Sequence, residues 1–348
     1  MDYREAWQRL LAAQRILVGT HIKPDGDGLG AIAALAEVLT ARGKQLRVIL
    51  PSLPPDKYSF LPGAERFEVI GRDLTAEAIA AGGPADPLGL WDLLLIIDTC
   101  TWEQLAALAP TVRRHNGRVL VIDHHATRND LGHDELSDPQ AAAAGQIVLR
   151  LLQANGVPLT PSMAVALFVA LATDTGWFRF PNVTPEVLRM AAQLQEAGAR
   201  PSVLYERLYQ RDSLAKLKLI QEALATLTVC PEGDVACFWL TRDMFRRTGA
   251  KQRDTENVID ECQRLETVIV GLLFVEQENG EIRVGLRSKR QVDVAEVAAR
   301  FGGGGHARAA GCTVRGTMAE AQRRILDAVY RAMGRAGYAG PVAPVQQT

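Results

Sequence analysis

The chain reads as an α/β protein: a parallel, doubly wound sheet, followed across a cleft by a smaller α/β domain. Three observations predict this. Short runs rich in Val, Ile and Leu at 15–20, 93–97 and 118–122 have the composition of parallel strands buried on both faces. They alternate with Ala/Leu-rich stretches of helical length, the order that builds crossover units. Each run also stops at acidic or imidazole residues: His21, Asp25 and Asp27 after the first, Asp98 after the second, and Asp123, His124 and His125 after the third. Open α/β sheets bind their ligands beyond the carboxyl ends of such strands.

Taken in order, the strand at 15–20 leads into an acidic loop and a helix over 28–42 that stops at Gly43. A strand follows at 45–50, then a Pro-rich loop at 51–55 and a short strand near 67–70, before the strands ending at Asp98 and Asp123. From Gly145 the texture becomes helical, over 145–155, 161–173, 184–197 and 201–228. Pro161, Pro185 and Pro201 sit where helices can begin. Strands return at 235–241, and at 267–277 paired with 281–287 across Glu278-Asn279-Gly280, a hairpin signal. A short helix over 293–301, a run of four glycines at 302–305, a strand at 312–314 and a helix over 318–333 complete the pattern. The expected domains are 1–190, a helical linker at 191–230, a second domain at 231–336 and a disordered tail at 337–348. At 348 residues the chain exceeds the usual limit of a single core, which agrees with two domains.

Composition narrows the function classes. Forty acidic against thirty-nine basic residues leave no whole-chain field to attract a long nucleic acid, so an anionic substrate must be held locally. No apolar stretch approaches the length of a membrane span, and the charged first residues lack a signal core. Five scattered cysteines without a Cys-x-x-Cys pair fit reduced thiols in a cytoplasm and give no zinc-thiolate site. Dinucleotide, ATP, serine-hydrolase and zincin motifs are absent.

The remaining chemistry lies in five clusters. In His21-x-x-x-Asp25-x-Asp27, Pro24, Gly26 and Gly28 let the loop turn tightly enough for ligands to converge, although an Asp here also serves as a helix cap. Asp98 ends its strand alone. In Asp123-His124-His125 the adjacent imidazoles diverge, so that one can ligate metal and the other face substrate, with Asp123 accepting a spare ring N–H. Asp174 closes an apolar helix at its negative end, a poor place for a carboxylate unless a cation compensates. Gly302 to His306, followed by Ala309-Ala310-Gly311, offers backbone N–H groups to an anion, with Arg287, Ser288, Lys289 and Arg290 supplying charge nearby. So many carboxylates and imidazoles at one sheet edge call for a cation, and for two in particular. Mixed imidazole and carboxylate donors favour manganese or a similar ion over magnesium.

Together these motifs resemble the DHH phosphoesterase family, in its nanoRNase and pAp-phosphatase group, over about residues 10–335. The resemblance rests on His-x-x-Pro-Asp-Gly-Asp at 21–27, Asp-Thr at 98–99, Asp-His-His at 123–125, Thr-Asp-Thr-Gly at 173–176, and Leu286-Arg287-Ser288 with the Gly302–His306 run. Ala31, where a serine is frequent, and Trp177, offering either a stacking surface or packing, depart from the pattern. The resemblance implies two divalent ions, usually Mn²⁺ with Mg²⁺ or Co²⁺ as substitutes. His21, Asp25 and Asp174 or Asp98 would hold one, and Asp27, Asp98, His124 and Asp174 the other, with Asp98 bridging. It implies catalytic roles for Asp98, Asp123 and His125, the last touching the scissile phosphate. Arg287, Ser288, Gly303, Gly304, Gly305 and His306 would grip the substrate. The implied substrates are oligonucleotides of 2–5 residues and pAp. Cyclic dinucleotides, or single strands as for the exonuclease RecJ, are the alternatives. A cytoplasmic homodimer is the implied form.

Overall fold

The computed structural model describes residues 1–75, 91–115, 118–126, 128–131, 134–289, 292–338 and 340. Arg290 and the tail beyond 340, expected to be disordered, lie outside the described residues. The chain divides into two compact units, 1–211 and 212–348. Among the described residues no helix is long and apolar enough to cross a membrane.

The first unit opens with α1 (Tyr3–Ala12), β1 (Arg15–Gly19), α2 (Gly26–Thr40), β2 (Gln45–Leu50) and β3 (Glu68–Val69). It continues with β4 (Leu93–Ile97), α3 (Trp102–Leu105), α4 (Ala109–Arg114), β5 (Arg118–Asp123) and β6 (Asp134–Ser137). It closes with α5 (Ala144–Ala154), α6 (Pro161–Asp174), α7 (Pro185–Glu196) and α8 (Pro201–Tyr209). Its six strands are all parallel, in the order β3-β2-β1-β4-β5-β6. Side chains alternate between the two faces, as the period of a strand requires. Ile16, Val18, Leu95 and Ile97 join the core with α1, α2, α5, α6 and α7, while Leu17, Leu94 and Ile96 join a second core with Leu105, Leu108 and Val112. The strand order reverses between β1 and β4, so the chain ends leaving these two strands open a crevice at that point.

Small residues bring the helices above that crevice close together. A Cβ at Gly30 would lie 2.3 Å from the Ala166 carbonyl, and one at Gly145 would lie 2.4 Å from Ala170 Cβ. The Ala/Gly content of α2, α5 and α6 therefore serves approach as well as helix propensity.

The second unit holds α9 (Leu214–Ala225), β7 (Thr228–Val229), β8 (Val235–Leu240), α10 (Arg242–Thr248), β9 (Val270–Glu276) and β10 (Ile282–Ser288). After them come α11 (Val294–Ala299), β11 (Gly304–His306), β12 (Ala309–Val314) and α12 (Met318–Ala332). Its sheet runs β11-β12-β10-β9-β8-β7, antiparallel except for the β8–β9 pair. The α11 and α12 residues pack on one face, and α9 with segment 258–262 on the other.

The elements differ from expectation in several places, α1, α3, α4, α10 and β7 being elements that the sequence reading does not include. The helix expected over 201–228 is two helices, because Ser213 caps α9 by accepting from Lys216 N–H at 3.1 Å. The edge strand β6 was not anticipated, since Asp134-Glu135-Leu136-Ser137 is too polar to signal a strand. Three of the four-glycine residues do not form a free loop: Gly304 and Gly305 join His306 in β11, paired with β12, and Gly303 N–H donates to the Ala298 carbonyl at 3.0 Å.

Candidate metal centre

β1, β4 and β5 carry His21, Asp98 and His124 to one edge of the sheet, and the ends of α2 and α6 bring Asp25, Asp27 and Asp174 there. Three groupings of potential ligand atoms result: His21–Asp25–Asp98, Asp27–His124–Asp174 and Asp98–His124–His125, the atoms of each within 4.8 Å of one another. Asp98 joins the first grouping to the third, and His124 joins the third to the second. Asp98 Oδ2 lies 3.3 Å from His21 Nε2, and its Oδ1 lies 3.4 Å from His124 Nε2.

The backbone at Asp98 is left-handed (φ 63°), a conformation that aspartate tolerates better than most residues but that still costs about 1–2 kcal/mol. Nothing in the sequence announces it beyond that tolerance. Its N–H still donates to the Ile122 carbonyl at 2.9 Å, so the strand pairing continues through the turn.

Both histidines are fixed by carbonyls. His21 Nδ1 donates to Ile22 O at 2.9 Å and His124 Nδ1 to Ala141 O at 3.3 Å. A carbonyl only accepts, so each Nδ1 carries the hydrogen and each Nε2 is turned toward carboxylates. His124 Nε2 is 3.2 Å from Asp174 Oδ2 and 3.7 Å from Asp27 Oδ2. A bare imidazole lone pair facing carboxylates at such distances is repulsive unless a proton or a metal ion lies between. This donor chemistry fits a pair of divalent cations. The buried and unpartnered Asp98 Oδ1 and His124 Nε2 fit them as well.

The titration behaviour follows from the same crowding. Burial disfavours charge on both histidines, but Asp25 and Asp98 raise His21 to about 11, and Asp174 and Asp98 raise His124 to about 12. Asp98 moves below the ordinary carboxylate range, because His124 and His21 outweigh its burial. Burial first, then the charges of Asp98 and Asp174, push Asp27 up, and Asp174 rises to about 6 for related reasons.

The capping reading and the ligand reading of the first loop are both realised. Asp25 Oδ1 caps α2 by accepting from Asp27 N–H at 3.0 Å and Gly28 N–H at 3.3 Å. Asp27 caps a different helix, accepting from Ala144 N–H at 2.6 Å and Gly145 N–H at 2.8 Å at the start of α5. Those two amides anchor a fully buried carboxylate, and no motif around Asp27 announces them. Asp123 accepts from His125 Nδ1 at 2.8 Å rather than from His124, so it orients the more exposed of the two imidazoles.

In the second unit, Arg287 lies 3.5 Å from Asp260. Ser288, the next residue of β10, is buried with its Oγ unpartnered and falls on the opposite face of the strand. A Cβ at Gly303 would lie 2.2 Å from the Gly311 carbonyl and one at Gly305 2.4 Å from the Ala309 carbonyl, whereas a Cβ at Gly304 meets nothing within 4 Å. The His306 backbone pairs with Ala309. Trp177 packs: its ring lies 5.1 Å from Tyr205, 5.6 Å from Tyr209 and 5.8 Å from Phe168.

Comparison with known proteins agrees with this architecture. The DHH family, N-terminal domain matches residues 15–173 and the DHHA1 domain residues 235–335. The chain is 32% identical to a Thermus thermophilus protein named bifunctional oligoribonuclease and PAP phosphatase NrnA, over 93% of this chain and 91% of that one. It is 27% identical to a probable protein of the same name from Streptococcus mutans, over 87% and 90%. The fold is that of an exopolyphosphatase-related protein from Bacteroides fragilis, with TM-score 0.88 at 23% identity over 94% and 95% of the two chains. Its ordered motifs, its paired domains and this relationship along nearly the whole chain place the protein in the DHH family of phosphoesterases.

Proposed function

We propose that this chain is a two-metal phosphoesterase that hydrolyses oligonucleotides of 2–5 residues to mononucleotides and pAp to AMP. The observation that carries the reading is the sharing of Asp98, one oxygen toward each histidine, by two groups of ligand atoms. The names of the relatives supply the substrates. His21, Asp25 and Asp98 would hold one ion, and Asp27, Asp98, His124 and Asp174 the other, with Mn²⁺ the natural occupant and Mg²⁺ or Co²⁺ substitutes. Such ions supply an activated water and positive charge for the phosphoester oxygens.

The chain's own residues do the rest. His125, with Asp123 behind it, contacts the scissile phosphate and handles the leaving-group proton. Arg287, the glycines 303–305 and His306 grip the rest of the substrate, with Arg287 in charge-assisted contact, whereas Ser288, buried on the opposite face of β10, is turned away from it. Five buried, unpaired thiols suit a reducing cytoplasm, and a homodimer is the proposed assembly.

Metal-stripped protein incubated with 5′-phosphorylated dinucleotides, pAp and cyclic di-AMP, with and without Mn²⁺, tests this by chromatography of the products. Mononucleotides or AMP appearing only with metal are expected. No turnover of any of them by protein shown to hold two Mn²⁺ would point to a different phosphoester.

A further inference from the structure

The chain turns sharply just beyond Asp174. Gly176, Trp177 and Phe178 follow one another with φ of 55°, 59° and 61°. A left-handed backbone is cheap for glycine but costly for two bulky aromatic residues in succession. Hydrogen bonds hold the turn: Trp177 N–H donates to Ala172 O at 2.6 Å, and Phe178 N–H to Thr175 Oγ1 at 3.1 Å. Strain held in this way points to a task for the rings it places.

The turn sets Trp177 against Tyr205 and Tyr209 of α8, with interplanar angles of 69° and 81°. At such angles Trp177 buttresses the two rings without stacking on them. The tyrosine rings lie 5.1 Å apart and are tilted by only 35°. A core cluster would be covered, yet Tyr205 is 39%, Tyr209 36% and Phe180 49% exposed. Two contacts tie this patch to the metal centre. A Cβ at Gly176, two residues from Asp174, would meet the Phe180 ring at 2.4 Å, and one at Gly26, between Asp25 and Asp27, would lie 2.9 Å from Tyr58 Cε1. Two residues beyond Tyr58, the Phe60 ring carries the guanidinium of Arg207 from α8 at 5.1 Å. Arg179 is exposed in the turn itself. Half-exposed rings interleaved with arginines are the make-up of a surface that stacks bases and follows a phosphate backbone.

We propose that Phe180, Tyr205 and Tyr209 form a stacking platform for the bases of a single-stranded oligonucleotide beyond the nucleotide being cleaved, with Trp177 as its positioning residue. The inference rests on the phosphoesterase reading above. It separates oligonucleotides from pAp, which brings one base only. The arginines and the closeness to Asp174 favour a nucleic acid over a second copy of this chain as the occupant.

The test compares KM for 5′-phosphorylated oligoadenylates of two to five residues with KM for pAp, using the full chain loaded with Mn²⁺. Tyr205→Leu combined with Tyr209→Leu keeps apolar bulk on α8 and removes the aromatic faces. KM for the five-residue oligomer should rise about 5- to 150-fold for each base that loses its ring, well beyond any rise for pAp. The change should fall in KM rather than kcat, and Tyr205→Phe with Tyr209→Phe should restore the parental KM. An equal rise for pAp and the oligomers overturns the proposal. So does a parental KM in a leucine variant whose mass by light scattering has dropped from dimer to monomer, because a second copy then covers the rings. If the parent hydrolyses neither pAp nor oligomers, the phosphoesterase reading falls and takes this inference with it. If the parent hydrolyses both and the leucine variant matches it at every length, only the platform falls.

Discussion

The two sheet edges that carry the motifs are built in opposite ways. At the carboxyl ends of β1, β4 and β5 the chemistry is in side chains, and they are electrostatically dependent on one another: Asp27 and Asp98 are buried, and His21 and His124 turn Nε2 toward them. At the β11–β12 edge of the second unit the sequence is nearly free of side chains. Gly303 and Gly305 stand where the neighbouring strand leaves no room for a Cβ. A change at the first edge should therefore disturb charge and ion binding while leaving the fold, whereas a change at the second should disturb the fold first.

The largest expected effect is at the shared carboxylate. Asp98→Ala removes the carboxylate shared by two of the three ligand groups, and hydrolysis of pAp and dinucleotides should fall roughly a thousandfold or more, beyond the typical loss of a single charge-stabilising group. Circular dichroism should be unchanged. Residual activity within about tenfold of the parent would remove Asp98 from the centre of the mechanism.

Arg287→Ala, on β10 next to β12, tests the proposed contact with substrate beside the second edge. A charge-assisted hydrogen bond is worth about 1.5–3 kcal/mol, or roughly a 10- to 100-fold rise in KM, with kcat held within about twofold. A matching fall in turnover at saturating substrate would give Arg287 a part in the chemical step and blur the contrast between the edges.

Proton linkage sharpens the electrostatic side. Metal-free protein holds protons on His21, raised to about 11, on His124, raised to about 12, and in part on Asp174, raised to about 6. The histidine protons contribute stability that is present in full below the ordinary imidazole value and is lost only as pH climbs through the raised values. An incoming cation must displace them. Mn²⁺ affinity should therefore rise with pH between 6 and 8, about tenfold per unit for each proton released. Calorimetry in buffers of different ionisation heat counts those protons. Affinity flat with pH, or no proton release, would mean the histidines are neutral before the ion arrives.

Much of the first edge was legible because strand ends in an α/β sheet share an edge by topology, so residues at 21–27, 98 and 123–125 meet whatever the loops do. Asp174 was readable from its misfit with the helix end. The left-handed turn at Asp98 and the Ala144 and Gly145 amides on Asp27 were not, because they depend on backbone angles and on a helix start 117 residues away in sequence. The split of the helix at Gln210–Ser213 is hidden because Leu recurs on both sides of it, at Leu204, Leu208, Leu214 and Leu217. At the second edge the sequence reading takes the four glycines as backbone N–H groups for an anion, but two of them answer to contacts across the sheet, and cross-strand register cannot be read from composition.

The smallest expected effect separates those two readings of the glycines. A methyl at residue 303 would fall 2.2 Å from the Gly311 carbonyl and 2.5 Å from Cys312 Cβ, neither of which can yield without parting β12 from its neighbours. Gly303→Ala should cost about 1–3 kcal/mol, the usual range for forced overpacking, and lower the melting temperature by several degrees. At residue 304 nothing lies within 4 Å and the backbone is extended in β11, so Gly304→Ala should change stability by less than about 0.5 kcal/mol. If both substitutions are equally mild, close strand approach is not what the glycines provide, and the edge is held by chain freedom. If Gly304→Ala leaves stability intact yet raises KM, the open face at residue 304 meets the substrate, and the second edge has a chemistry of its own in its bare backbone.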